Sequence, residues 1–224
     1  SVGGMSEERG KQVIEASCCH KGMTTDSPHL RDLLAKLPAL TALDLSHNKM
    51  SAIPNLAWCP KVRALNLSHN EVEDKTLFSP LYRPRFRTLV ELRISHNQVS
   101  SLKGFAAAPN LLYLDISFNK VTSLKGLEDI AQIRTLLLAN NEISGGLRAF
   151  TFMKALVDLS LANNPVARKG GLYKAAIANY CPTLSRFDGR YLARGTRAVT
   201  ASRADGSLNR GSPDRGSPNE ATDY

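Results

Sequence analysis

The stretch LTALDLSHN, residues 40–48, has apolar residues at its first, fourth and sixth positions and ends on an asparagine. Five later stretches repeat this order of residue types: VRALNLSHN (62–70), LVELRISHN (89–97), LLYLDISFN (111–119), IRTLLLANN (133–141) and LVDLSLANN (156–164). Their closing asparagines follow one another at steps of 22, 27, 22, 22 and 23 residues. Self-similarity at such a period is the signature of a repeat architecture.

The fourth and sixth positions of each stretch lie two residues apart, so on a strand they share one face. In the third copy, Leu92 and Ile94 would point into a core while Arg93 points outward. The pattern predicts strands near 42–46, 64–68, 91–95, 113–117, 135–139 and 158–162. The asparagine would end each strand and satisfy turn backbone groups that are otherwise buried without a partner. Because one repeat cannot bury its own apolar face, stacking supplies the core.

The predicted fold is α/β, a solenoid with a curved parallel sheet and short helices or 3-10 turns on its convex side. Ser27-Pro28 resembles a helix start, and the leucines that follow at helical spacing predict a helix covering the first coil. These leucines are Leu30, Leu33, Leu34 and Leu37. At the other end, a second helical face is predicted from Tyr173, Ile177 and Tyr180, before a closing Phe187-Asp188-Gly189.

The chain divides into three parts by composition. Residues 1–26 are predicted to be a weakly structured extension, and 27–192 the repeat domain with its caps. Residues 193–224 are basic and rich in Gly, Ser and Pro, which predicts a disordered tail. Ser212 and Ser217 each precede proline there and are candidate phosphorylation sites. Cys18-Cys19-His20 is more easily explained as a thiol pair than as a metal half-site, since no second pair follows at a zinc-type spacing.

The 22-residue period and the closing NPV…Y…I…P…L..FDG segment resemble intracellular leucine-rich repeats of the phosphatase-regulator type with their C-terminal cap. The resemblance covers roughly residues 28–192. The same cap type occurs in an axonemal dynein light chain, in the A-prime subunit of a spliceosomal ribonucleoprotein and in messenger-RNA export factors. These relatives share little beyond carrying a partner, so the resemblance implies a fold more strongly than a function.

Composition indicates a protein of the cell interior. Four cysteines are scattered without the terminal clusters of secreted repeat proteins, which favours reduced, intracellular conditions. No apolar run reaches the roughly 18–20 residues of a membrane span, and no export signal is recognisable. We therefore expect no membrane association and a cytoplasmic location, cytoskeletal or axonemal within it, with the nucleus as the alternative. The formal charge of +9 favours acidic partners, whether nucleic acid or protein.

No catalytic motif is present in the sequence. It contains no nucleophile elbow, no phosphate-cradling glycine loop and no helical metal-ligand motif, so we predict no enzyme activity, no cofactor and no metal. His47, His69 and His96 recur at one repeat position and predict a ladder at the strand ends. Stacked imidazoles are able to bind a metal or respond to pH, but the simpler interpretation is an exposed, neutral turn residue.

The concave side of the sheet is the predicted binding surface, because its large apolar groups would otherwise face water. Leu112, Tyr113, Phe118 and Leu137 form the expected apolar patch. Charged residues would flank the patch and set the orientation of a partner: Glu91, Arg93, Asp115 and Arg134.

A second candidate surface is the enlarged step between Asn70 and Asn97. It interleaves aromatic and cationic residues, namely Tyr82, Arg83, Arg85, Phe86 and Arg87. Such a loop suits stacking on bases or pairing with phosphates, and equally an acidic protein groove. It is also explained by a solvated loop whose phenylalanine packs under the coil.

The sequence thus predicts a non-enzymatic scaffold that is a monomer within a larger complex and binds a protein, with a cytoskeletal or axonemal assembly favoured by resemblance. The alternatives are a ribonucleoprotein subunit that binds protein and RNA, and a phosphatase regulatory subunit.

Overall fold

The computed structural model describes residues 14–74 and 86–192. Within these ranges the chain forms one nine-stranded sheet whose strands follow one another in sequence order. The strands are β1 (Ile14–Ser17), β2 (Leu40–Asp44), β3 (Ala64–Asn66), β4 (Glu91–Arg93), β5 (Tyr113–Asp115), β6 (Thr135–Leu137), β7 (Asp158–Ser160), β8 (Arg186–Phe187) and β9 (Arg190–Tyr191). Neighbouring strands run parallel, except that β9 folds back antiparallel onto β8.

All six predicted strands are present, and equivalent repeat positions pair across the sheet. Each strand ends two residues earlier than predicted, at the fifth position of its stretch. In three repeats an acidic or amide side chain at that position accepts a hydrogen bond from the backbone N–H two residues later: Asp44 from Ser46, Asn66 from Ser68 and Asp115 from Ser117. Such a bond starts a turn, so the sixth apolar position lies already in the bend.

The repeat array begins before residue 27, within the stretch that we expected to be weakly structured. Strand β1 pairs parallel with β2, and Ala16 and Cys18 are buried in the same core as the leucines. They occupy the fourth and sixth positions of a degenerate repeat, in which Lys21 stands where later repeats have asparagine. Asn48 of the next repeat compensates by accepting hydrogen bonds from the backbone N–H groups of Lys21 and Met23, both at 3.0 Å.

A ladder of buried asparagines joins the repeats, as predicted. Each side chain donates to carbonyl oxygens of its own turn and of the preceding repeat. Each Oδ1 accepts from a backbone N–H of the preceding repeat at 2.9–3.0 Å. The ladder consists of Asn48, Asn70, Asn97, Asn119, Asn141 and Asn164. In the described residues every buried side-chain nitrogen or oxygen has a hydrogen-bond partner, the ladder asparagines included.

Short helical segments form the side opposite the sheet, and helices lie near both ends. Helix α1 (Pro28–Ala35) starts after Ser27 as predicted and buries Leu30 and Leu34, although the Ser27 side chain makes no capping bond. Helix α2 (Gly171–Tyr180) buries Tyr173 and Ile177. The Tyr173 hydroxyl donates to Asp188 Oδ2 at 3.0 Å, and the backbone N–H of Leu161 donates to Asp188 Oδ1 at 2.7 Å. The closing aspartate therefore fixes α2 against the last repeat.

Phe86 was a candidate for the basic and aromatic surface, with packing under the coil as the alternative, and the structure shows the alternative. Its side chain is fully buried, and its carbonyl accepts the backbone N–H of Leu89 at 3.1 Å. The same bond joins the equivalent residues Cys59, Ala108, Ile130 and Met153 to the first residue of their stretches, and all four are buried. Phe86 therefore occupies a position that is apolar and buried in the other repeats. Tyr82, Arg83 and Arg85 lie outside the described residues, as do the predicted disordered tail and the serines Ser212 and Ser217.

Candidate functional site

The third and fifth positions of each strand point away from the core and form the surface that we call the concave face. Between them, Leu43, Leu65, Leu92, Leu114, Leu136 and Leu159 are buried on the opposite side. The face consists of Glu15, Ser17, Ala42, Asp44, Ala64, Asn66, Glu91, Arg93, Tyr113, Asp115, Thr135, Leu137, Asp158, Ser160 and Arg186. All of these are half-buried or exposed except Asp158, which is buried.

Tyr113 stands at the middle of this face, beside a cation. The Arg93 guanidinium carbon lies 5.3 Å from the centre of the Tyr113 ring, and Arg93 Nε is 2.7 Å from Glu91 Oε1. Burial, and then the charge of Asp115, raises the pKa of Tyr113 above its usual value. The phenol is therefore protonated at neutral pH and available as a hydrogen-bond donor. The structure thus brings together Glu91, Arg93, Tyr113 and Asp115, as predicted from the sequence.

A second arginine at the C-terminal end of the face was not predicted as a site residue. Arg186 donates to the buried carboxylate of Asp158 on the neighbouring strand, and this hydrogen bond raises the pKa of Arg186. Tyr191 pairs with Arg186 across β8 and β9 and is 82% exposed. No copy of the repeat motif covers β8 and β9, so this pair could be recognised only once the strands were placed.

The N-terminal half of the face is different in character. Ala42 and Ala64 lie side by side at the third position, and their short side chains leave a depression of about 410 Å³. Longer residues surround it: Glu15 on one side, Glu91 and Arg93 on the other, and Asp44 and Asn66 along the next row. The concave face therefore combines an open acidic trough with a centre where Tyr113 adjoins Arg93 and a C-terminal end where Arg186 pairs with Asp158.

The apolar patch predicted from the sequence is divided among three places. Tyr113 and Leu137 are half-buried on the concave face. Leu112 and Arg134 lie just before their strands and are joined by a hydrogen bond from the Arg134 N–H to the Leu112 carbonyl at 2.8 Å. Phe118 lies beyond the strand end, in the turn, and is 48% exposed. None of the four predicted apolar residues is sealed in the core.

Phe118 belongs instead to a ladder of stacked rings along the turns. The ring ladder consists of His20, His47, His69, His96 and Phe118. Successive ring centres are 4.0–4.3 Å apart and the planes differ by 10–15°. All five residues have a positive φ of 55–58°, so the same turn projects each ring in the same direction. The predicted histidine ladder is confirmed, and it extends by one ring at either end.

The stacked geometry argues against a metal in the ring ladder. Ring nitrogens bind metals along directions in the ring plane, and face-to-face rings hold these directions parallel instead of converging on one ion. Throughout residues 14–74 and 86–192, no group of three His, Cys, Asp or Glu side chains is placed to bind a metal. The rings are exposed at the turn, and the imidazole of a histidine, unlike the phenyl ring of Phe118, can take up a proton.

We expect the ring ladder to make folding stability depend on pH. Burial lowers the pKa of His69 below its usual 6.5, and the other histidines of the ladder lower it further. The unfolded chain then binds more protons than the folded chain between these two pKa values. The contribution of His69 to stability is therefore complete above pH 6.5 and is lost as the pH falls through its folded-state pKa.

His69→Asn tests this dependence by urea unfolding between about pH 7.5 and pH 5. Asparagine occupies the same left-handed position at Asn140 and Asn163, so the turn is preserved. The free energy of unfolding should fall less with acidification in the variant than in the parent chain. His29→Asn, on α1 and outside the ladder, is the control. Equal pH dependence of His69→Asn and the parent would contradict the expectation.

Comparisons with known proteins agree with the described fold. A family profile described as "Leucine rich repeat" matches residues 87–143, and a second of the same description matches 36–52 and 59–77. No curated protein sequence matches the chain. In the part of the chain that the structure describes, no helix is long and apolar enough to cross a membrane.

Solved structures similar to this one include two internalins of Listeria monocytogenes. The internalin inlF is 17% identical with a TM-score of 0.52, and the match covers 71% of this chain and 50% of inlF. Internalin C2 is 20% identical with a TM-score of 0.52, covering 77% and 79%. A leucine-rich-repeat protein of Leptospira interrogans is 19% identical with a TM-score of 0.50, covering 68% and 50%. The chain thus spans about half the length of inlF and of the Leptospira protein.

At these identities the structural matches establish the fold alone. The fold is one that generally serves protein–protein interaction, typically without catalysis. The phosphatase-regulator subtype and its cap are not distinguished by these matches. The profile matches, the asparagine ladder and the in-register parallel sheet together show that the chain folds as a leucine-rich-repeat solenoid.

Proposed function

We propose that this chain is a non-catalytic module that holds a partner protein on its concave face. The observation that carries the proposal is the position of Tyr113 and Leu137, two large side chains on the outward side of the sheet. Tyrosine and arginine are enriched among residues that dominate binding energy, and Arg93 and Arg186 stand on the same face. Their ion pairs with Glu91 and Asp158 hold them in place before a partner arrives.

The double variant Tyr113→Ala/Leu137→Ser tests the proposal. Proteins co-purifying with the parent chain and the variant are identified side by side. The partner's affinity should fall by about 30- to 700-fold, because each of the two anchors is worth about 1–2 kcal/mol. Thermal unfolding should change little, since neither side chain is in the core.

Phe118→Asn is the matched control for this experiment. It removes an exposed ring outside the concave face and places in the turn the residue that Asn140 and Asn163 already have there. Unchanged partner capture by Tyr113→Ala/Leu137→Ser would contradict the proposal. Loss of capture by Phe118→Asn alone would transfer the binding site to the ring ladder.

The cellular setting stays a prediction from resemblance. We propose a monomer inside a larger intracellular complex, with a cytoskeletal or axonemal assembly ahead of a phosphatase regulatory role. The ribonucleoprotein alternative rests on the +9 charge and on Arg87, which is exposed, together with residues outside the described ranges. Buried Phe86 is not available for stacking on a base. Retention on RNA at low salt, falling steeply with ionic strength, would support that alternative.

A further inference from the structure

We infer that the occupant of the concave face is a basic, arginine- or lysine-rich segment of a partner protein. This inference rests on the proposed function and names the chemistry of the partner at the same surface. It starts from a contrast in charge. The chain carries a formal charge of +9, yet on strands β1–β8 the concave face has five carboxylates and two arginines, and no lysine.

The two arginines do not neutralise the whole face, because each already has a carboxylate partner. Arg93 pairs with Glu91, and Arg186 pairs with Asp158. Within the described part of the chain, Glu15, Asp44 and Asp115 have no ion-pair partner. Asp44 and Asp115 each use Oδ1 to accept a backbone N–H, which leaves Oδ2 directed to solvent or to a ligand. The uncompensated charge of this surface is thus negative.

Two of the uncompensated carboxylates, Glu15 and Asp44, line the acidic trough in the N-terminal half of the face. Its floor is Ala42 and Ala64, whose side chains end at Cβ, and its volume of about 410 Å³ is within the range of small binding sites. Long cationic side chains pack their methylene stems on such apolar surface while the charged group reaches an acid. Glu15 and Asp44, the uncompensated carboxylates that line the trough, are placed to receive those groups.

Electrostatics also selects against other ligands on this face. A nucleic acid or an acidic protein segment would place its negative charges against three uncompensated carboxylates. A cationic segment, by contrast, is repelled by most of this basic protein and attracted to the concave face. The charge distribution therefore directs a basic partner to the surface where Tyr113 and Leu137 provide apolar contact.

Fluorescence anisotropy with labelled octa-arginine and octa-glutamate peptides tests the inference on the full chain at about 50 mM salt. The variant Glu15→Gln/Asp44→Asn removes two of the uncompensated charges. It preserves the turn, because the amide oxygen of Asn66 makes the equivalent bond to Ser68 at 3.0 Å in the next repeat. Glu71→Gln/Glu142→Gln is the matched control, since both residues are exposed and outside the concave face.

Octa-arginine should bind the parent chain, and its affinity should fall about 5- to 25-fold in Glu15→Gln/Asp44→Asn. The control variant should stay within about twofold of the parent. Amide chemical-shift changes on titration should concentrate on β1–β3. Equal affinity of octa-arginine for both variants, shift changes confined to other surfaces, or tighter binding of octa-glutamate to the concave face would each overturn the inference.

The outcomes separate this inference from the proposed function. If octa-arginine fails these tests while Tyr113→Ala/Leu137→Ser still loses its partner, the concave face binds a protein of different chemistry. If Tyr113→Ala/Leu137→Ser retains its partner while octa-arginine binds β1–β3 as expected, the trough is a basic-segment site and the central tyrosine is not an anchor.

Discussion

Asn119→Ala should lower the free energy of unfolding by about 2–6 kcal/mol, measured by urea unfolding with a two-state fit. The buried amide donates to the carbonyl oxygens of Ile94 at 2.9 Å and Ile116 at 3.1 Å. It also accepts the backbone N–H of Val99 at 3.0 Å. Alanine leaves the buried N–H of Val99 without a partner, which costs about 1–3 kcal/mol. The two carbonyl oxygens keep Asn97 and Asn141 as donors, so each lost bond to them costs only about 0.5–1.5 kcal/mol.

Asn110→Ala is the control for this loss. Its side chain also bonds a backbone carbonyl, that of Arg87, but the bond is exposed and water can replace it. We expect a change of less than about 1 kcal/mol there. A similarly small change for Asn119→Ala would mean that the turn backbone finds other partners, and the asparagine ladder would then not be what joins the repeats.

Gly126→Ala should be destabilising by about 2–4 kcal/mol, seen as a lower midpoint in thermal or urea unfolding. Gly126 has φ of +104°, a conformation that side chains rarely adopt. A Cβ atom there would lie 2.4 Å from the Leu102 carbonyl oxygen and 2.7 Å from its carbon. Both are backbone atoms of the preceding repeat, so the clash can be relieved only if the two coils move apart.

Gly145→Ala provides the comparison, because its φ is outside the left-handed region and nothing lies within 4 Å of an added Cβ. Its stability should change by less than about 1 kcal/mol, in either direction. If Gly126→Ala unfolds at the same midpoint as Gly145→Ala, the close approach of the coils at Leu102 is not a constraint on this fold.

The repeat phase was predictable because a leucine-rich strand and its asparagine turn are local patterns with a single geometric solution. Leu92 and Ile94 had to share a face, and the asparagines had to satisfy the turns. The degenerate first repeat escaped prediction because Ala16 and Cys18 are small for core positions and Lys21 replaces the asparagine. The available clue was His20, which precedes His47 by the same 27 residues that separate Asn70 from Asn97.

The candidate site was predictable in part. Position within a strand identified Arg93, Tyr113, Asp115 and Leu137 as outward-facing. Sequence distance alone did not show that Phe118 stacks on His96, since that depends on the left-handed φ of the turn. Nor did it give the pairing of Arg186 with Asp158, because the two residues come together only when β8 joins β7.

Phe86 shows why composition alone did not decide between the two interpretations of the insertion. Its arginine neighbours make the segment resemble a cationic loop, yet the repeat needs an apolar group beneath its coil at that point. Burying the phenylalanine ring is favourable. It does not require the neighbouring charge to be buried, since Arg87 stays exposed.

The in-register sheet sets a repeat distance for anything that lies along it. Adjacent rows of the concave face are about 4.8 Å apart, whereas one turn of an α-helix advances about 5.4 Å. A helix crossing the strands at right angles offers roughly one turn to each row. The two periodicities differ by about 0.6 Å per row, so they fall half a turn out of step after about four or five rows. A straight helical ligand therefore matches about as many rows as separate Glu15 from Tyr113.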